Sequence, residues 1–289
     1  MGIRTDMAIE AKRLWDKSME EKTQLQGVKA SNTAHFDIPI DVVEILNEEG
    51  SRALGKPEGT YVTIGLEKFC NRERGSFRRT AEALARVLHT MLPPVKNVLV
   101  ACLGNANITA DAVGPEAMDN LVVTRHLTMR NIPVFCDFTT VSAVAPSVLG
   151  KTGIESAELV KSAVENIRPD CILVVDALAS CEPERLCMSV QIADTGIIPG
   201  SGVGNHRTAF TKQSLGIPVY AIGVPTVVDG ATFLAINGRG GAENPRHDLV
   251  LTARDIDIQV REIGKLIGYG INLALQPPLD FDDIPGFLS

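Results

Sequence analysis

Hydrophobic positions along this chain follow two patterns that alternate. Short unbroken apolar runs give way to longer stretches with an apolar residue every third or fourth position. Val98-Leu99-Val100-Ala101-Cys102-Leu103, closed by Gly104-Asn105, is the clearest run, and Cys171-Ile172-Leu173-Val174-Val175, ending in Asp176, is the second. Runs apolar on both faces predict central strands of a buried sheet. Residues 189–193 and 219–224 read as further strands and 132–136 as another candidate. Phe36, Ile38 and Ile40 alternate with polar or small residues, which predicts a strand over 35–46, and β-rich Tyr61-Val62-Thr63-Ile64 predicts one over 61–66. Asn47-Glu48-Glu49-Gly50 between them begins a polar connection.

Helical spacing predicts helices over residues 6–19, 76–91, 116–129, 157–167 and 255–275. Pro93-Pro94 stops the second and Pro169 ends the fourth. In the fourth, Leu159, Val160, Ala163, Val164 and Ile167 form the buried stripe; in the last, Ile256, Val260, Ile263, Ile267 and Ile271 do. Strand and helix alternate through most of the chain, so the expected fold is α/β: an open, mostly parallel or mixed sheet with helices on both faces. No internal repeat or long linker divides the chain, so residues 1–289 are expected to form a single domain.

Composition narrows this picture. At 45% hydrophobic and only 4% aromatic, the core must be aliphatic, as suits such a sheet. A net charge of −7 gives no footprint for nucleic acid. No apolar run reaches the ~20 residues of a membrane span, and the charged first residues are not a secretory signal. The six cysteines include no CxxC pair and read as free thiols of a reducing cytosol. No spacing supports a metal site, and no cofactor is expected.

In open α/β sheets, ligands bind beyond the carboxyl ends of the strands. Asp111 follows the first clear strand and Asp176 the second, so two carboxylates 65 positions apart are expected at one sheet edge. Such a pair suits hydrolysis, because like charge and burial keep one protonated while the other activates water. Both also have plainer readings: Asp111 as a helix cap, Asp176 as a solvated strand end. Asp194, in Asp194-Thr195-Gly196, reads first as a structural turn. The loop Pro199-Gly200-Ser201-Gly202-Val203-Gly204-Asn205 offers backbone amides for an anion nest or oxyanion hole, or a tight bend alone. His126 and His206 read as structural or exposed, and Asp229 as a helix cap.

The wording of several segments is informative in itself. Arg4-Thr5-Asp6-Met7-Ala8, Gly104-Asn105 through Asp111-Ala112-Val113-Gly114-Pro115, and Asp176-Ala177-Leu178-Ala179 resemble the spore germination protease family. So do Gln191-Ile192-Ala193-Asp194-Thr195-Gly196, the loop at 199–205, and Gly223-Val224-Pro225-Thr226-Val227-Val228-Asp229. These matches are collinear over nearly the whole chain. The resemblance implies an atypical aspartic endopeptidase that degrades small acid-soluble spore proteins, the coat of spore DNA, in the spore core during germination. It places the two essential aspartates at Asp111 and Asp176; Asn105, Asp194, Gly200, Ser201, Gly202 and Asn205 are expected as supporting or substrate-binding residues. It also implies a fold shared with hydrogenase maturation proteases, a homotetramer, and synthesis as a zymogen. Few residues precede Arg4, so the chain is expected to be a mature form or one controlled differently. The competing readings are a metal-dependent processing peptidase on the same fold and a non-catalytic peptide-binding spore protein.

Overall fold

A computed structural model describes residues 3–18, 25–130, 132–204, 207–236 and 249–288. Among them, nine strands form one mixed sheet in the order β1-β2-β3-β7-β8-β6-β4-β5, with β9 on β8. The strands are β1 (Val28–His35), β2 (Ile38–Ile45), β3 (Gly59–Gly65), β4 (Asn97–Cys102), β5 (Thr140–Val144), β6 (Cys171–Ser180), β7 (Ser189–Ala193), β8 (Val219–Asp229) and β9 (Val250–Leu251). β5, β4, β6 and β8 run parallel, and β7 joins β8 antiparallel.

The central strands are covered on both faces, as their unbroken apolar runs require. Val98, Val100 and Cys102 face one core, with Leu84 of the helix Ser76–Met91 and Ile263 and Ile267 of the helix Ile256–Leu275. Leu99, Ala101 and Leu103 face a second core, with Val160 and Val164 of the helix Ser156–Ile167. This two-residue alternation along a fully buried strand is why no hydrophobic-polar alternation marks it in the sequence. A third cluster seats the helix Ala8–Ser18 on the antiparallel part of the sheet through Ala8, Ala11, Val43 and Tyr61.

Several expectations are corrected. The apparent strand 35–46 is the second arm of a hairpin: β1 pairs with β2 through His35↔Ile38. Phe36 and Asp37 turn the chain with φ of 52° and 67°, the two left-handed positions of a type I′ turn. β1 escapes pattern reading because it is an exposed edge strand. The polar connection after β2 is largely the helix Glu48–Leu54, whose Gly50 N–H donates to the Asn47 side chain at 3.0 Å.

The helix expected over 116–129 is two short ones, Val113–Met118 and Arg125–Thr128. Asn272, buried on the last long helix, breaks the segment. It accepts from Val122 N–H and donates to the Asn120 carbonyl, both at 2.9 Å, and so takes over backbone groups that helical pairing would use. The run 132–136 is not a strand: Pro133–Phe135 is a 3-10 turn, and the strand lies at β5. All six cysteines stand free. Among the described residues, no helix is long and apolar enough to cross a membrane.

Candidate active site

β4 stops at Cys102, but β6 does not stop with it. Cys102 pairs with Val175, and beyond that level β6 continues to Ser180 on β8 alone. Asp176 is therefore not a strand end, as the sequence suggested. It is the first β6 residue past the end of β4, so on that side the strand has no further neighbour, while Gly223 of β8 pairs with it on the other. There it is 4% exposed. Its neighbour along the strand supplies one hydrogen bond, from Ala177 N–H to Asp176 Oδ1 at 2.9 Å.

The chain leaving β4 curls back to bring Asp111 to the same place. Asp111 closes the 3-10 turn Thr109–Asp111. Asn105 N–H donates to the Asp111 carboxylate (2.9 Å) and to its carbonyl (3.0 Å). The Asn105 side chain accepts from Asn107 N–H at 3.0 Å, an Asx turn that shapes the loop. Thr226 Oγ1 on β8 ties the loop down through the Ala110 carbonyl at 2.6 Å. Gly104, at φ 110°, sits so close that a Cβ there would overlap the Asp111 carbonyl oxygen.

Asp111 and Asp176 line one cleft of about 300 Å³, with Gly104, Gly200, Arg207 and Thr226 among its walls. Burial pushes the Asp111 carboxyl up to about 6, against the Asn105 N–H and the Arg207 charge, which favour ionisation. Asp176 is raised well above the usual carboxylate range, first by burial, then by the charge of Asp111, with Asp6 adding in the same sense and the Ala177 N–H opposing. The pair is thus asymmetric, with Asp176 the more firmly protonated and Asp111 the first to ionise.

The other expected site residues divide. Gly200 lines the cleft, while Ser201 and Gly202 close over Asp6 beside it. The N–H groups of Ser201, Val203 and Gly204 are engaged in turn hydrogen bonds, so an anion nest cannot draw on them. Asn205 and His206 lie outside the described residues. Asp194 is set apart. Because β7 is antiparallel, its end points away from the edge that Asp176 occupies: Ala193 pairs with Ala221, whereas Asp176 pairs with Gly223. The Asp194 carboxylate accepts from Thr60 N–H at 2.8 Å, which is the turn role. Asp194→Ala is expected to leave kcat/KM within about twofold and to cost about 1 kcal/mol of stability, the worth of one hydrogen bond, read by denaturant unfolding. His126 is exposed on its short helix, and Asp229 caps the helix Gly230–Ile236 by accepting from Thr232 N–H at 2.9 Å. Asp6 and Arg207 lie at the cleft without having been singled out for chemistry. Only the Arg4-Thr5-Asp6 wording and the nearness of Arg207 to the glycine loop hinted at them. Among the described residues, no group of three or more His, Cys, Asp or Glu side chains forms a metal-binding cluster.

A model of the germination protease family matches residues 5–236. The chain belongs to the germination protease family. The germination protease of Clostridium perfringens is 39% identical, over the whole of this chain and 99% of that one. That of Caldanaerobacter subterraneus subsp. tengcongensis is also 39% identical, over 96% of each. That of Oceanobacillus iheyensis is 41% identical over 80% of this chain and 65% of its own length. In structure the germination protease chain is similar to a [NiFe] hydrogenase maturation protease from Thermococcus kodakarensis, at TM-score 0.37 and 16% identity, over 64% of this chain and 99% of that one. As a member of its family the chain is an endopeptidase of spore germination.

Proposed function

We propose that this germination protease cleaves small acid-soluble spore proteins by activating water between Asp111 and Asp176, as an atypical aspartic peptidase. The observation that carries the reading is the convergence of these two carboxyls in one cleft with unequal proton affinity. Asp111, ionised, takes a proton from water as the water oxygen attacks the scissile carbonyl carbon. Asp176, protonated, gives its proton to the carbonyl oxygen. Collapse of the tetrahedral intermediate breaks the C–N bond, with the proton held by Asp111 passing to the departing amine and a hydroxyl proton returning to Asp176. Proton balance is complete, and no group outside the pair and water is needed. The same proposal covers a single domain over residues 1–289, a homotetramer, a zymogen precursor and a place in the spore core.

Mass spectrometry of a purified small acid-soluble spore protein, incubated with the enzyme beside its Asp176→Asn variant, tests the reading. Discrete fragments with the parent and none with the variant are expected; equal fragments from both would remove Asp176 from the chemistry. The pH profile is a second expectation. Activity needs Asp111 ionised and Asp176 protonated, so kcat/KM should rise as pH passes about 6 and fall again at higher pH, where Asp176 loses its proton. A profile flat from pH 4 to 9 would oppose the assignment.

A further inference from the structure

The segment before the first helix is laid against the site and held at successive residues. Arg4 N–H reaches Thr232 Oγ1 at 3.3 Å, Lys56 Nζ donates to the Thr5 carbonyl at 2.7 Å, and Gln191 takes both the Asp6 carbonyl (3.2 Å) and Ala8 N–H (2.8 Å). At its centre Asp6 exchanges hydrogen bonds with the extension of β6: Asp6 N–H donates to the Ala179 carbonyl at 2.9 Å, and Ala179 N–H donates to Asp6 Oδ2 at 2.8 Å. The other carboxylate oxygen, Oδ1, accepts from Ser201 Oγ at 2.6 Å. A Cβ at Gly202 would overlap Asp6 Oδ2, so the glycine loop can lie on Asp6 only because that position has no side chain. Asp6 lines the same cleft as Asp111 and Asp176.

We propose that Asp6 is a positioning residue of the site, whose carboxylate clamps the glycine loop to the extension of β6 and sets a negative charge beside the catalytic pair. The proposal rests on the two-aspartate reading above. One carboxylate spans three segments far apart in sequence, at residues 6, 179 and 201, and both its oxygens are used in doing so. A side chain with only a structural duty there need not be charged. Asp6 lines the same cleft as Asp176, and its charge raises Asp176 in the same sense as that of Asp111, as the smallest of the contributions. The charged groups around the pair are Asp111 from the turn after β4, Asp6 from the amino-terminal segment, Arg207 after the glycine loop, and Glu155 ahead of the helix Ser156–Ile167. Lys56 and Glu10 do not line the cleft; Lys56 is close enough to feel the Asp6 and Glu10 carboxylates, and Glu10 is satisfied by Thr5, Ser180 and Cys181.

Asp6→Asn keeps the size and a carbonyl acceptor but removes the charge, while Asp6→Ala and Ser201→Ala remove the tether. Steady-state pH profiles with a small acid-soluble spore protein, with circular dichroism as a check on folding, separate the two roles. For Asp6→Asn the high-pH limb is expected to move toward lower pH by half a unit or more (about a threefold or greater change in proton affinity), because losing a neighbouring negative charge makes Asp176 easier to ionise. For Ser201→Ala the limb should stay in place while kcat/KM drops about tenfold; Asp6→Ala, if folded, should show both effects. An Asp6→Asn profile that superimposes on the parent's would overturn the charge role, and a Ser201→Ala variant as active as the parent would overturn the clamp. Asp176→Asn is run alongside: if it cleaves like the parent, the two-aspartate reading itself fails. If it is inactive while the Asp6→Asn limb stays put, only the inference about Asp6 fails.

Discussion

Asp111→Asn and Asp176→Asn are each expected to lower kcat/KM about a thousandfold, with the fold intact. In the proposed mechanism each carboxyl handles a proton at the moment of attack, and an amide can neither take one from water nor give one to the carbonyl oxygen at useful pH. Losing a proton-transfer partner costs about 10²–10⁴-fold. Losses in a unit that acts together do not add, so the double variant should be hardly worse than either single one. The stability of Asp176→Asn should move the opposite way. The Asp176 carboxyl is raised far above its unfolded value, so its contribution to stability is fully present below about pH 4 and is lost as pH rises toward its folded value. At neutral pH the asparagine variant should therefore melt at a higher temperature than the parent, and the gap should close toward pH 4. A variant that loses activity and also melts lower at neutral pH would point to a damaged fold rather than a missing proton.

Gly104→Ala should be the most damaging change that leaves every ionisable group in place. The residue holds φ at 110°, a backbone region that L side chains avoid at a cost of about 1–3 kcal/mol, and its Cβ would overlap the Asp111 carbonyl oxygen. The loop must open to admit it. That would pull Asp111 away from Asn105 N–H, the hydrogen bond that opposes the rise in its proton affinity. A displacement of about 1 Å at a reacting group is worth about a hundredfold in rate, so a drop of that order in kcat/KM is expected. The low-pH limb should also shift upward from about 6. Unfolding and pH–rate measurements on one preparation check both; a variant with parental kinetics would show that the loop does not position Asp111.

Much of the sheet was legible because its central strands are buried on both faces: an aliphatic run such as 98–103 or 171–175 has few other uses in a chain of this composition. What escaped the sequence was set by tertiary hydrogen bonds or by exposure. Nothing near Asn120 or Val122 announces that Asn272, some 150 positions on, will take their backbone groups. β1 has no buried face to leave a pattern. The rule that ligands gather beyond parallel strand ends pointed to Asp111 and Asp176, and the fold brings both to one cleft. Asp194 also follows a strand, but β7 runs the other way, so it lies off that edge in the turn role read first for it. Asp6 could not be weighed from its neighbours in sequence, since its value comes from lying across Ala179 and Ser201.

Carbon-13 NMR of the aspartate carboxyls across pH, with Asp111 and Asp176 assigned by loss of each signal in its asparagine variant, tests the shared-proton pair most directly. One carboxyl titrating near pH 6 and the other well above it are expected, with the higher value falling when Asp111 is made neutral. Two carboxyls that both titrate near 4, each indifferent to the other's removal, would contradict it.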